Sequence, residues 1–146
     1  MALAAIWAIV MIIVDPVYFE MLASDKLYLL QGQGLFIFGD QDPQLSSYPV
    51  LALLALLAII PMGAILRFKD RKFQMKLMRL NMILSLGFIG LAVFYIDRSQ
   101  ALIGEETDIA PSIWFYTSVL PILFSFLANR FIKKDDEMVR AADRLR

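Results

Sequence analysis

Four apolar blocks, separated by polar segments, set the plan of this chain. The first, ALAAIWAIVMIIV at 2–14, closes on Asp15-Pro16 and continues through Val17-Tyr18-Phe19. At about 1.5 Å per residue it reaches only about 20 Å, short of the roughly 30 Å hydrocarbon core of a bilayer. It has neither the basic n-region nor the small-x-small cleavage site of a signal peptide. The pattern therefore predicts a first transmembrane helix over about 2–19, with Asp15 near its outer interface. The second block, PVLALLALLAIIPMGAIL at 49–66, carries Ala52, Ala55 and Ala58 at every third position. Small residues so spaced let a neighbouring backbone come close, and Pro61 predicts a kink. The third span is LNMILSLGFIGLAVFYI at 80–96, with Gly87 and Gly90 as further close-packing sites. The fourth is IWFYTSVLPILFSFLANRFI at 113–132, with Trp114 and Tyr116 in the aromatic belt at its outer end.

The polar segments carry structure of their own. Within the loop 20–48, LYLLQGQGLFIFGD at 27–40 sets two aromatic-rich and branched runs around Gly32-Gln33-Gly34, a β-hairpin signal. Its apolar side chains, Leu35, Phe36 and Phe38 among them, predict a face on a partner, on the membrane surface or on the chain's own helix ends. In the tail 133–146, Lys133–Glu137 and Asp136–Arg140 are opposite charges four apart. Ile132, Met138, Ala142 and Leu145 line a thin apolar stripe beside them. The tail thus reads as a helix continuing past the fourth span, with Met138 and Leu145 as partner contacts.

Charge orients these spans. The loop 67–79 holds six basic residues, Arg67, Lys69, Arg71, Lys72, Lys76 and Arg79, against Asp70 alone. Six more basic residues lie between Arg130 and the end, while the loops 20–48 and 97–112 have one each, Lys26 and Arg98. Basic loops stay in the cytoplasm, so both termini and the loop 67–79 are expected inside, and the two acidic loops outside. The fold class that follows is an all-α membrane protein. It is a single domain, a four-transmembrane-helix bundle with a short β-hairpin in its first outer loop.

Composition narrows the chemistry further. The chain is 60% apolar and contains neither cysteine nor histidine. Thiolate nucleophiles, iron–sulfur clusters, Cys-ligated zinc, the usual haem ligands and imidazole proton shuttles are thereby excluded. No cofactor or metal is expected. A net charge of zero, with the basic residues accounted for by topology, speaks against nucleic acid. An enzyme would have to use outer-loop carboxylates such as Glu105, Glu106 and Asp108, which read more simply as a solvated acidic loop.

No ionisable residue falls deep within a span, which argues against a proton-coupled transporter. Uncharged polar residues do. Asn81 and Ser85 share a face of the third span, and Ser118, Pro121, Ser125 and Asn129 share one of the fourth. Counting from the cytoplasmic side sets Asn81 level with Asn129 and Ser85 level with Ser125. A polar seam joining the two helices is expected, each hydrogen bond contributing about 0.6 kcal/mol and at most about 2.

Two stretches, FKDRKFQMKLMRLN at 68–81 and LANRFIKKDDEMVRAADRLR at 127–146, resemble the DUF4293 family of four-helix membrane proteins from Bacteroidetes. The shared pattern is a basic loop running into Arg-Leu-Asn, and a Val-Arg-x-Ala-Asp-Arg-Leu-Arg ending. The resemblance implies the four-span layout and a bacterial inner membrane, and brings no activity and no site residues. Family members open with polar and basic residues before helix one. This chain opens inside the apolar run, which leaves open whether Met1 is the true start. Four spans with a hairpin in the longer first outer loop also describe claudin-like proteins, a likeness of shape alone.

The expected function is a non-catalytic accessory or scaffolding subunit of a larger inner-membrane complex, with the bilayer and other membrane subunits as partners. The alternative is a small lipid or solute carrier or pore using the polar seam.

Overall fold

The computed structural model describes residues 1–23, 26–40, 42–104 and 107–143, the last two without their side chains. The elements run α1 (Ala2–Val14), β1 (Phe19–Ala23), β2 (Lys26–Leu30), β3 (Gly34–Ile37), β4 (Leu45–Ser46) and α2 (Tyr48–Leu66). They continue with α3 (Arg71–Ile103), β5 (Asp108–Pro111), α4 (Ile113–Thr117) and α5 (Leu120–Asp143). Three helical stretches are long and apolar enough to cross a membrane: Tyr48–Leu66, Arg71–Ile103 and Ile113–Ala141. α1 packs chiefly on α2, α2 on α3 and α3 on α5, and contact between α1 and α5 closes the ring.

α1 is shorter than the span 2–19 predicted for it. Pro16 has no N–H and disfavours the helical conformation at the residue before it. Asp15 accordingly turns left-handed, at φ 42° and ψ 58°, its N–H held by the Met11 carbonyl at 3.2 Å. The apolar residues that follow do not prolong the helix. Tyr18 donates its N–H to Leu30 at 2.8 Å, and Phe19 opens β1.

The predicted hairpin is present as β2 and β3, with Leu30 opposite Leu35, but it is the middle of a larger sheet. The strand order is β4-β3-β2-β1-β5, antiparallel throughout. The all-α description with one hairpin therefore needs correcting to a helical bundle capped by a five-stranded sheet. Residues 108–111, taken for loop, supply an edge strand in which Ala110 faces Glu20 and Ile109 faces Met21. β1 buries Phe19, Met21 and Ala23 and exposes Glu20 and Leu22. This alternation presses one face of the sheet onto the bundle, where Met21 and Leu35 join Met11, Leu54, Leu57 and Phe88 in one core.

The basic loop 67–79 contracts to a turn over Arg67–Asp70. Asp70 caps α3 by accepting the Phe73 N–H at 2.9 Å, and Arg71 to Arg79 already belong to the helix. At its other end α3 passes the predicted limit of 96 and stops at Gly104, whose φ of 71° suits glycine. The fourth span is interrupted: α4 ends at Thr117 and α5 starts at Leu120. Pro121 provides no N–H for the turn before it and crowds the Thr117 carbonyl, so the ladder opens there. The charged tail continues α5 as anticipated, with Lys133–Glu137 at 3.8 Å and Asp136–Arg140 at 2.9 Å.

The buried stripe of α3 is Gln74, Met78, Asn81, Ser85, Phe88, Ala92, Tyr95 and Ser99, in alternating steps of four and three. Ser118, in the break between α4 and α5, and Pro121, Ser125, Ala128 and Ile132 of α5 are buried in the same rhythm. A 3.5-residue repeat on both sides keeps one seam facing its partner along its whole length.

Candidate functional site

That seam holds most of the polar residues singled out from the sequence. Asn81 is fully buried and donates from Nδ2 to Ser125 Oγ at 2.8 Å. The register is one turn away from the one expected, which paired Asn81 with Asn129. Counting from the apparent ends of the apolar blocks misplaced both helices, because each runs on into charged sequence. Ser85 does not reach Ser125; its hydroxyl donates to the Asn81 carbonyl of its own helix at 2.7 Å. Ser99 does the same to Tyr95 at 2.7 Å. Such back-bonding satisfies a hydroxyl in apolar surroundings without involving a second helix. Asn81 Oδ1, Ser118 Oγ and Asn129 Oδ1 are buried with no hydrogen-bond partner among the described residues.

Gln74 and Trp7, not singled out from the sequence, make polar contacts between other pairs of helices. Gln74 Nε2 donates to the Ala64 carbonyl at 2.9 Å, and Trp7 Nε1 to Thr117 Oγ1 at 3.3 Å. Ala64 shows why the first bond exists. It lies in the last turn of α2, whose carbonyls have no helical N–H to accept, and only residues 67–70 separate α2 from α3, so a long amide can bridge back. Gly87 and Gly90, expected to be close-packing sites, have nothing within 4 Å of where a Cβ would stand, and both lie on an exposed face. Ala58 is buried as its spacing suggested, whereas Ala52 is exposed.

A second polar cluster ties the sheet to the helices. Asp15 Oδ1 accepts the Gly32 N–H at 2.9 Å. A Cβ on Gly32 would stand 2.7 Å from that oxygen, so only glycine fits the approach. Ser47, fully buried, donates its hydroxyl to the carbonyls of Gln31 and Gly32, both at 3.0 Å. Burial pushes the Asp15 carboxyl above the usual carboxylate range, and hydrogen bonds from Gly32 and Gln33 draw it partly back. The Gly-Gln-Gly turn was legible as a hairpin signal; its role in donating to Asp15 at the end of α1 and accepting from Ser47 at the start of α2 was not, because both partners are distant in sequence.

The residues proposed for docking divide. Leu35 is fully buried in the chain's own core and cannot meet a partner, which corrects its assignment. Phe36 is half-buried, while Phe38 and Met138 are exposed. Leu145, with Glu105 and Glu106, lies outside the described residues. At the basic end, the Arg67 guanidinium stacks on Phe73 at 4.9 Å and Lys69 sits 5.9 Å over the Phe68 ring. Arg71 donates to the Asp135 carbonyl at 2.7 Å, and Lys72, Lys76 and Arg79 stand exposed.

Compared with known proteins, the chain matches the family described as Domain of unknown function (DUF4293) over residues 1–145. No curated protein and no solved structure matches it.

Proposed function

The chain belongs to the DUF4293 family, and from that premise we propose that it is a non-catalytic accessory or scaffolding subunit of a larger complex in a bacterial inner membrane. The observation that carries this reading is the uncovered face of α3. Gly87 and Gly90 stand on it beside exposed Ile83, Leu86 and Phe94, and a foreign helix can approach small residues closely. The polar groups of the spans, by contrast, serve the chain itself, through Asn81 to Ser125 and Gln74 to Ala64. The twelve basic residues at one end, against two in the acidic segments, support cytoplasmic termini and a sheet on the outer side.

The test is purification of the tagged chain from its native host in mild detergent, followed by sizing and mass spectrometry. Stoichiometric membrane partners are expected. A clean monomer or homo-oligomer overturns the reading. It would favour a lipid or solute carrier, the second proposal, which the unpartnered oxygens of Asn81, Ser118 and Asn129 support.

A further inference from the structure

At the basic end α5 leaves the bundle as a charged helix, and its acids are used unevenly. Glu137 pairs with Lys133, Asp136 with Arg140, and Asp135 with Arg71. Arg130 and Lys134 have neither an ion pair nor a hydrogen bond among the described residues. Four positions apart, they stand one above the other on a single helix face. Leu127 and Phe131 lie beside and below them, 44% and 65% exposed. Together with Lys133 and Glu137 these four line a groove of about 500 Å³. Phe131 and Lys134 also wall a second groove of about 540 Å³, completed by Met1, Phe68 and Arg71 among others.

We propose that this groove binds an anionic phospholipid, taking the membrane-length helices as spans. Its two halves match the two halves of such a molecule. Exposed Leu127 and Phe131, where the apolar stretch of α5 ends, offer a surface to an acyl chain. One turn further along, Arg130 and Lys134 offer donors and uncompensated positive charge to the phosphate. A zwitterionic lipid brings its own ammonium group, which these cations repel, so the groove prefers a net negative headgroup. Soluble phosphate would leave Leu127 and Phe131 without a role. The inference depends neither on the subunit reading nor on which side of the membrane the basic end faces.

The test uses the full-length chain, delipidated in detergent and offered palmitoyl-oleoyl phosphatidylglycerol or phosphatidylcholine at equal concentration and low ionic strength. Retained lipid is counted by native mass spectrometry. The wild-type chain is expected to retain phosphatidylglycerol preferentially. R130Q/K134Q is expected to lose that preference, at about fivefold for each charge removed. K72Q/K76Q, which removes the same charge from α3, is expected to keep the wild-type ratio. K134Q alone, an exposed substitution, is measured beside the double variant and decides the question if that variant fails to fold. Equal retention of the two lipids by the wild type, or a wild-type ratio in K134Q and R130Q/K134Q, overturns the proposal. So does displacement of phosphatidylglycerol by inorganic phosphate at the same concentration, which would assign the cations to a soluble anion.

Discussion

Phe88 joins three parts of the molecule. Its ring lies 6.1 Å from Trp7 of α1 and 5.8 Å from Tyr18 at the entry to the sheet, both edge-on, and it is 1% exposed. Phe88→Ala is expected to cost about 3–5 kcal/mol, as large-to-small changes at buried aromatic sites do, and Phe88→Leu distinctly less. Equilibrium unfolding in mixed micelles measures both. At the seam, a double-mutant cycle of Asn81→Ala with Ser125→Ala should give a coupling of about 0.6 kcal/mol and at most about 2. The same cycle with Asn129→Ala in place of Ser125→Ala should give less, since no bond joins that pair; equal couplings would contradict the register. Gly32→Ala must displace the Asp15 carboxylate from the Gly32 amide, because the added methyl would stand 2.7 Å from it. A loss of about 1–3 kcal/mol is expected, read as a lower melting temperature.

Among the elements, β5 is held to the sheet by one neighbour, β1, from the far end of the chain. Nothing about Asp108-Ile109-Ala110-Pro111 announces a strand. Four residues are too few to show alternation, and their partner lies far off in sequence. The hairpin was visible because its two strands and their glycines are adjacent. The chain has no cysteine, so an engineered pair can report this contact cleanly. Glu20→Cys with Ala110→Cys, directly opposite in the register, should cross-link under mild oxidation. Glu20→Cys with Asp108→Cys, two positions out of register, should do so more slowly; equal rates would mean that β5 is not docked as described. The end of α1 was legible in Pro16, whose effect on the preceding residue is local. The length of a bilayer argued for carrying that helix to Phe19, and the backbone rule prevailed.

For the whole molecule, the sorting of charge separates a basic end, where α2 turns into α3 and α5 continues outward, from the end that carries the sheet. On the proposed orientation, Lys72→Cys should react with a membrane-impermeant maleimide only after the membrane is opened. Phe38→Cys, exposed on the sheet side, should react in intact cells. The reverse pattern would invert the topology.

The apolar blocks, the basic segment and the Gly-Gln-Gly turn are properties of contiguous residues, and hydropathy, charge and turn chemistry act over just that range. They determined where the apolar segments and a hairpin lie and which end is basic; four spans were expected, and three helices reach membrane length, because Pro16 ends α1 early. Tertiary structure alone decided that Asn81 meets Ser125, that residues 108–111 complete a sheet, and that Leu35 is core. It also decided that Arg130 and Lys134 have no ion pair among the described residues while Arg71, Lys133 and Arg140 find acids. Each of these depends on register between distant segments. That register is set by interlocking side chains along the 3.5-residue seam and by hydrogen bonds between strands far apart in the chain, which no single stretch of sequence contains.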